Sequence, residues 1–267
     1  MSLQINNLTL STAGLSINKK VICRHLNVSF NPGEFWGIMG INGVGKTTLL
    51  KSLIALHDID HCNDKNDCIV LNKQSIYAYK RLELAKKTGM MLQEYEYNFP
   101  STVLEAVLIG RHPFLNQWQI EDSDDEQLAL DALEKVGLEK LSQRSLHTLS
   151  GGEKRRVNLA TLLTQKTDYY LLDEPVNHLD IKAQMDNVFL LRSQFQQSGQ
   201  CGIMVIHEPN LAYRFCDHML LLFDNGEWLA GETRAMLTTK NLSRLYDCPI
   251  QQISNENEHF FTPQLSV

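Results

Sequence analysis

Several stretches of this chain hold residue types that do phosphate chemistry once they are brought together. Gly40-Ile41-Asn42-Gly43-Val44-Gly45-Lys46-Thr47 fills every fixed position of G-x-x-x-x-G-K-[ST], and Thr48 follows it. Glycines let the backbone turn its N–H groups toward a di- or triphosphate, Lys46 is placed to reach the β- and γ-phosphates, and the Thr47 hydroxyl is a ligand for Mg²⁺. A glycine-rich turn with an exposed lysine is the plainer alternative. Asp173-Glu174 closes the apolar run Tyr169-Tyr170-Leu171-Leu172. An acidic pair there suits Mg²⁺ coordination and water activation, although an acidic turn after a strand would look the same. Gln93 and His207 each follow an apolar run, Gly89 to Leu92 and Gly202 to Ile206. Leu149-Ser150-Gly151-Gly152-Glu153 has capping-box spacing with two glycines at a helix start, which fits either an anion site or a well-capped helix.

Chemistry of this kind needs elements that deliver the residues to one place. Phe35 to Met39 reads as a buried strand and Lys46 to Leu56 as a helix, so strand, glycine loop and helix follow in the order a phosphate cradle requires. Cys68 to Leu71, Gly89 to Leu92, Tyr169 to Leu172 and Gly202 to Ile206 read as further strands. A polar residue just past the carboxyl end of such a strand lies where open α/β sheets bind ligands. Ahead of the glycine loop, residues 2 to 30 carry short alternating runs that predict a small antiparallel sheet. Residues 75 to 87 fit one helix face. Thr102 with Glu105, and Ser123 with Glu126, have capping-box spacing, and residues 98 to 165 are predicted as a mostly helical subdomain inserted between strands. Residues 181 to 197 predict a helix. His218 to Phe223 and Glu227 to Ala230 predict a hairpin around Asn225-Gly226, with the positive φ angles of a type I′ turn. A single domain is expected over 1–254, followed by a polar, loosely held tail at 255–267.

Composition narrows the function. The chain has 267 residues with 43% apolar residues, enough for a sizeable core, and a formal net charge of −6. That charge argues against a dedicated nucleic-acid binder, which needs a basic face. Met1 to Asn18 lacks the basic and apolar segments expected of a signal peptide, and no stretch approaches the ~20 apolar residues of a membrane helix. The expectation is a cytosolic protein whose membrane role, if it has one, comes through a partner. Six cysteines stand without a C-x-x-C pair, as reduced thiols would. The stretch 57 to 68 contains His, Asp and Cys, but its spacing defines no metal geometry and a solvated loop explains it.

The ordered set of Gly40 to Thr47, Gln93, Leu149 to Glu153, Tyr169 to Pro175, Asn177 to Asp180 and His207 resembles the ATP-binding cassette (ABC) family of transporter ATPases over nearly the whole chain. The resemblance implies an α/β fold: a P-loop NTPase core sheet, an N-terminal antiparallel β subdomain and an inserted helical subdomain. It implies that Lys46 and the loop amides hold ATP, and that Thr47, Asp173 and Gln93 serve Mg²⁺. Glu174 would be the general base and His207 a γ-phosphate contact. Ser150, Gly151 and Gly152, with Glu153, would act on a nucleotide held by a second copy of the chain, and Asp180 would bridge the copies.

Val107 to Pro113, Asn177 to Ile181 and Leu211 to Asp217 are similar to the ATPase subunits of bacterial importers for iron-siderophore, heme and cobalamin. That likeness implies an integral membrane permease as partner, a periplasmic binding protein indirectly, and a place on the inner face of the plasma membrane. A soluble cassette ATPase of iron-sulfur cluster assembly, with no permease, is the alternative. The family's adenine-stacking aromatic is missing near Leu15. The aromatic run Glu94 to Pro100 is expected to meet the permease.

Overall fold

The computed structural model describes residues 2–12, 20–57, 59, 65–92, 100–116, 119–177, 179–254 and 259–264. β1 (Leu3–Ser11) and β2 (Val21–Phe30) pair antiparallel, Leu3 opposite Phe30 and Ser11 opposite Val21. β3 (Phe35–Met39) then runs into the glycine loop and α1 (Lys46–Ser52). After α2 (Lys65–Cys68), β4 (Ile69–Leu71) adds to the free edge of β1 and β5 (Gln74–Ser75) to β4, completing an antiparallel sheet of order β2-β1-β4-β5.

The second sheet takes β3 together with β6 (Thr88–Met91), β7 (Tyr169–Leu172), β8 (Cys201–Val205), β9 (His218–Leu222) and β10 (Trp228–Glu232), in the order β10-β9-β3-β8-β7-β6. All its pairings are parallel except that of β10 with β9. Strands covered on both faces read as unbroken apolar runs, and the pleat divides each run between two cores. Phe35, Met39, Tyr170 and Leu172 face the helices, whereas Trp36, Ile38, Tyr169 and Leu171 face the antiparallel sheet and α1.

Between the neighbouring strands β6 and β7 the described chain is helical. After α3 (Arg81–Ala85) and β6 come α4 (Val103–Leu108), a 3-10 turn over Ile109–Phe114, α5 (Ser123–Lys135) and α6 (Gly151–Thr164). α7 (Ile181–Ser198) leads into β8, and α8 (Pro209–Phe215) follows it. Past β10 lie α9 (Thr233–Met236), α10 (Thr239–Tyr246) and a separate hairpin of β11 (Ile250–Ser254) and β12 (His259–Pro263).

Some local expectations give way to tertiary contacts. Residues 75 to 87 are not one helix. The Ser75 hydroxyl caps a 3-10 turn over Ile76–Ala78, and the Tyr79 hydroxyl bonds the Leu71 carbonyl at 2.9 Å, so the backbone stays extended before α3. The turn after β9 is not type I′. Gly226 N–H donates to the Phe223 carbonyl and Phe223 N–H to the Glu227 carbonyl. Gly226, at φ 81°, takes the left-handed position that ends a three-residue loop. Residues 259 to 263 of the expected loose tail form β12, and Phe261 is buried. Cys23, Cys201, Cys216 and Cys248 are free thiols, but Cys68 is disulfide-bonded, contrary to an all-reduced set.

The cap of α5 lies one residue earlier than the spacing of Ser123 and Glu126 implies. Asp122 accepts from the Asp124 and Asp125 N–H groups, both at 3.0 Å, and the Asp125 carboxylate reaches back to Asp122 N–H. A carboxylate that satisfies two helix-end amides outcompetes a hydroxyl that could satisfy one. Asp122→Ala should therefore destabilise the fold by about 1 kcal/mol and Ser123→Ala by almost nothing. Urea titration of the two variants checks this; a larger loss for Ser123→Ala would put the cap back where the spacing suggested.

Candidate functional site

Three adjacent parallel strands, β3, β8 and β7, end at the same edge of the central sheet, and each delivers one part of the cleft. β3 delivers the glycine loop. Gly45 has φ 109°, and a Cβ there would come within 2.5 Å of Ile22, so both backbone angle and space demand glycine. At Gly40 a Cβ would meet the Leu222 carbonyl oxygen at 2.7 Å, which keeps the loop pressed on the end of β9. The Lys46 ammonium folds back to the carbonyls of Gly40 and Ile41 at 2.8 and 3.1 Å and is 6% exposed. Burial lowers its pKa, opposed by the charges of Glu174 and Asp173. Loop N–H groups, a buried cation and the start of α1 make a cradle for a polyphosphate.

β7 delivers the carboxylates. Asp173 is buried, and among the described residues neither carboxylate oxygen has a partner with hydrogen-bond geometry. Burial raises its pKa, outweighing the downward pull of the Thr47 hydroxyl and of Lys51 and Lys46, while Glu174 adds to the rise. Two orphaned oxygens beside a threonine hydroxyl form an oxygen donor set of the kind a hard divalent cation accepts. Among the described residues no group of three or more His, Cys, Asp or Glu side chains is arranged to hold a metal ion by itself. The protein oxygens at Thr47 and Asp173 therefore fit Mg²⁺, which takes one or two protein ligands and the phosphates for the rest.

Glu174 adopts φ 51°, a left-handed conformation that costs a non-glycine residue about 1 kcal/mol or more. The turn directs its carboxylate across to β8. There Oε1 meets His207 Nε2 at 2.7 Å, and Oε2 accepts from the Asn177 amide. The backbone of this turn is held from α6, where Arg155 donates to the carbonyls of Glu174 and Pro175, the latter at 2.6 Å. Burial lowers the Arg155 pKa, opposed by the Glu174 charge. Thr12, Asn42, Gly43, Gly45, Lys46, Thr47, Thr48, Glu174, Asn177 and His207 line one cleft of about 840 Å³.

Ser150, Gly152, Glu153 and Asp180 line a different cleft, between α6 and α7. Ser150 and Gly151 are exposed at the N-terminus of α6. Glu153 is spent on the capping box, its Oε2 accepting from Ser150 N–H and from the Ser150 hydroxyl at 2.8 Å each. These bonds hold its carboxyl below the usual range. Asp180 caps α7, with Oδ1 accepting from Ala183 N–H at 2.8 Å. One chain therefore gathers Gly40 to Thr48, Asp173, Glu174 and His207 but not the Ser150 group. Gln93, Leu15 and the stretch 94 to 99 lie outside the described residues.

Arg155, Asn177 and Thr12 are contacts that sequence reasoning does not select. Asn177 stands inside a stretch that carries the family resemblance, and Arg155 is one of three successive basic residues, yet no spacing rule ties either to Glu174.

The sequence profile of the ABC transporter family matches residues 23–177. The chain is 31% identical to a hemin import ATP-binding protein of Bordetella pertussis over 254 residues, 92% of each chain. It is 32% identical to the ferric enterobactin transport ATP-binding protein of Escherichia coli K12 over 235 residues, 87% of this chain and 84% of the relative. Its structure is similar, at TM-score 0.83 and 28% identity, to a metal-chelate type ABC transporter chain in an inward-facing conformation, covering 99% of this chain and 98% of that one.

Burial of Asp173 has a consequence for stability. A folded-state pKa above the unfolded value means that the native chain holds this proton more tightly, so stability falls as pH rises through that window. Asp173→Asn removes the buried charge while keeping the shape. In magnesium-free and nucleotide-free buffer it should raise the thermal midpoint at neutral pH, and the gain should shrink as pH approaches the ordinary aspartate pKa. Calorimetry at several pH values checks this, and an unchanged midpoint at neutral pH would show that Lys46 and Lys51 offset the burial.

Proposed function

The chain belongs to the ABC transporter family, and from that membership we propose that it is the ATP-hydrolysing subunit of an importer, working as a dimer beneath a separate membrane permease. The observation that carries this reading is the convergence of Lys46, Asp173, Glu174 and His207 on one sheet edge, with the Ser150 group held apart on another surface.

In this reading Lys46 leaves the Gly40 and Ile41 carbonyls for the β- and γ-phosphates, and the loop amides hold the rest of the triphosphate. Thr47 and Asp173, with Gln93, would hold Mg²⁺. When bound, Mg²⁺ neutralises charge on the phosphate oxygens. Glu174 takes a proton from the attacking water as its oxygen bonds to the γ-phosphorus and the bond to the β-phosphate oxygen breaks, giving ADP and phosphate. His207 contacts the γ-phosphate, and its bond to Glu174 sets both groups on one site. The two clefts on one chain support a dimer in which Ser150, Gly151 and Gly152 of each copy close over the nucleotide of the other, with Asp180 between them.

A smaller groove of about 190 Å³ lies where β6 ends, walled by Met90, Leu92, Ile109 and Pro113, with Leu92 and Ile109 part exposed. Leu92, on its wall, is the last described residue before the stretch 94 to 99, and this groove is the surface proposed for the permease. The named imports of the relatives, hemin and ferric enterobactin, favour an iron chelate or heme as cargo, with cobalamin resting on the sequence resemblance alone, delivered by a periplasmic binding protein, with this subunit at the inner face of the membrane. They favour the importer over the iron-sulfur assembly alternative.

Glu174→Gln should keep ATP binding and lower kcat by about a hundredfold or more, since the amide preserves shape and removes the base. With Mg²⁺ and ATP the variant should elute as a dimer in size-exclusion chromatography. In cells, the same substitution on the chromosome should stop uptake of radiolabelled iron chelate. Near-normal phosphate release would remove Glu174 from the mechanism, and normal uptake would remove iron chelates from the cargo.

A further inference from the structure

None of the described residues beyond Met236 lines the phosphate cleft, yet this part of the chain grips the backbone that carries His207 at two points. α10 is amphipathic: Leu242 and Leu245 are buried in the helix-side core, and this sets Tyr246 at its last turn facing the end of β8. The Tyr246 hydroxyl donates to the His207 carbonyl at 3.2 Å. Ile250 N–H then bonds the Ser243 hydroxyl at 2.8 Å and turns the chain into the β11–β12 hairpin, which brings Phe261 against α8. There the Asn210 side chain pairs with the Phe261 backbone in both directions. Its Oδ1 accepts from Phe261 N–H at 2.6 Å, and its amide donates to the Phe261 carbonyl at 3.1 Å. The same amide bonds Glu208 Oε1 at 2.8 Å.

His207 lies past the last residue of β8, where the sheet no longer holds it. The final backbone bond along this strand runs from Ile206 N–H to the Ile38 carbonyl at 3.1 Å. Beyond that bond the His207 peptide has no ladder partner among the described residues, and a rotation there would swing the imidazole away from Glu174 Oε1, which it meets at 2.7 Å. Geometry at a reacting centre is sensitive to displacements of this size, and groups held by packed elements are more precise than groups on free loops.

We propose that Tyr246 is a positioning residue for His207, with the Asn210–Phe261 pairing as a second fastening, so that the C-terminal helix and hairpin brace a cleft they do not line. The proposal rests on the reading of His207 as a γ-phosphate contact. Tyr246→Phe keeps the ring and its packing and removes only the donor.

The test uses full-length protein labelled in histidine, comparing wild type with Tyr246→Phe and Asn210→Ala. In Tyr246→Phe, kcat for ATP should fall about fivefold, the size of one lost neutral hydrogen bond, with KM and thermal midpoint near wild type. The His207 ring signal in the carbon–proton NMR spectrum should move, while that of His25 stays. Asn210→Ala should shift the same signal, and it decides the matter should Tyr246→Phe lose stability. A His207 signal at its wild-type position in both variants, or a kcat loss that follows only a lowered midpoint, overturns the proposal. Wild-type protein without ATPase activity would instead sink the proposed function, whereas the ring signal reports on positioning without turnover.

Discussion

Burial of the parallel strands on both faces is the constraint from which the rest of this structure follows. Strands covered by helices on one side and by an antiparallel sheet and α1 on the other leave no polar surface along their length. Polar groups must then gather where the strands stop. The carboxyl ends of β3, β8 and β7 lie side by side, so the glycine loop, His207 and the Asp173–Glu174 pair meet at one edge although they are far apart in the chain.

That edge is built against the local preference of its residues. Asp173 is a buried acid whose oxygens, among the described residues, have only the Thr47 hydroxyl beside them and no well-aligned partner, Lys46 a buried base turned onto carbonyls, and Glu174 a non-glycine residue in a left-handed conformation. Each is unfavourable for folding alone. Together they form a preorganised field of a cation, unpaired carboxylate oxygens and a carboxylate aimed across the sheet, which the proposed function assigns to phosphate oxygens, a metal and the attacking water. Arg155 shows how such a turn is kept in place, since its guanidinium satisfies the carbonyls that the left-handed turn exposes. Because Arg155 belongs to α6, whose N-cap is Ser150, the helix that presents the second cleft also holds the backbone of the first.

The division into two clefts is the second organising fact. The Ser150 capping box spends Glu153 within the chain and leaves Ser150 and Gly151 at an exposed helix start. In the proposed function this helix start binds an anion, and since it does not face its own chain's phosphate cradle, that role requires a second copy. The C-terminal helix and hairpin stand apart from both clefts and act on the site through the backbone of His207 and Asn210.

The sequence by itself determined the strand, loop and helix of the phosphate cradle, the acidic pair, and the family. The central strands are apolar throughout, the positive φ of Gly45 calls for glycine, and the Thr102 and Ser150 caps depend only on residues three apart. All of these are local, and local patterns are written in neighbouring letters. Only the tertiary structure decided what depends on distant partners. Residues 75 to 87 broke where Tyr79 reached Leu71. The supposed tail became a strand through Phe261 and Asn210. The contacts of Glu174 with His207, and of Tyr246 with the His207 carbonyl, join positions more than thirty residues apart. No spacing rule reaches that far, because such pairs are set by which strands lie side by side in the sheet.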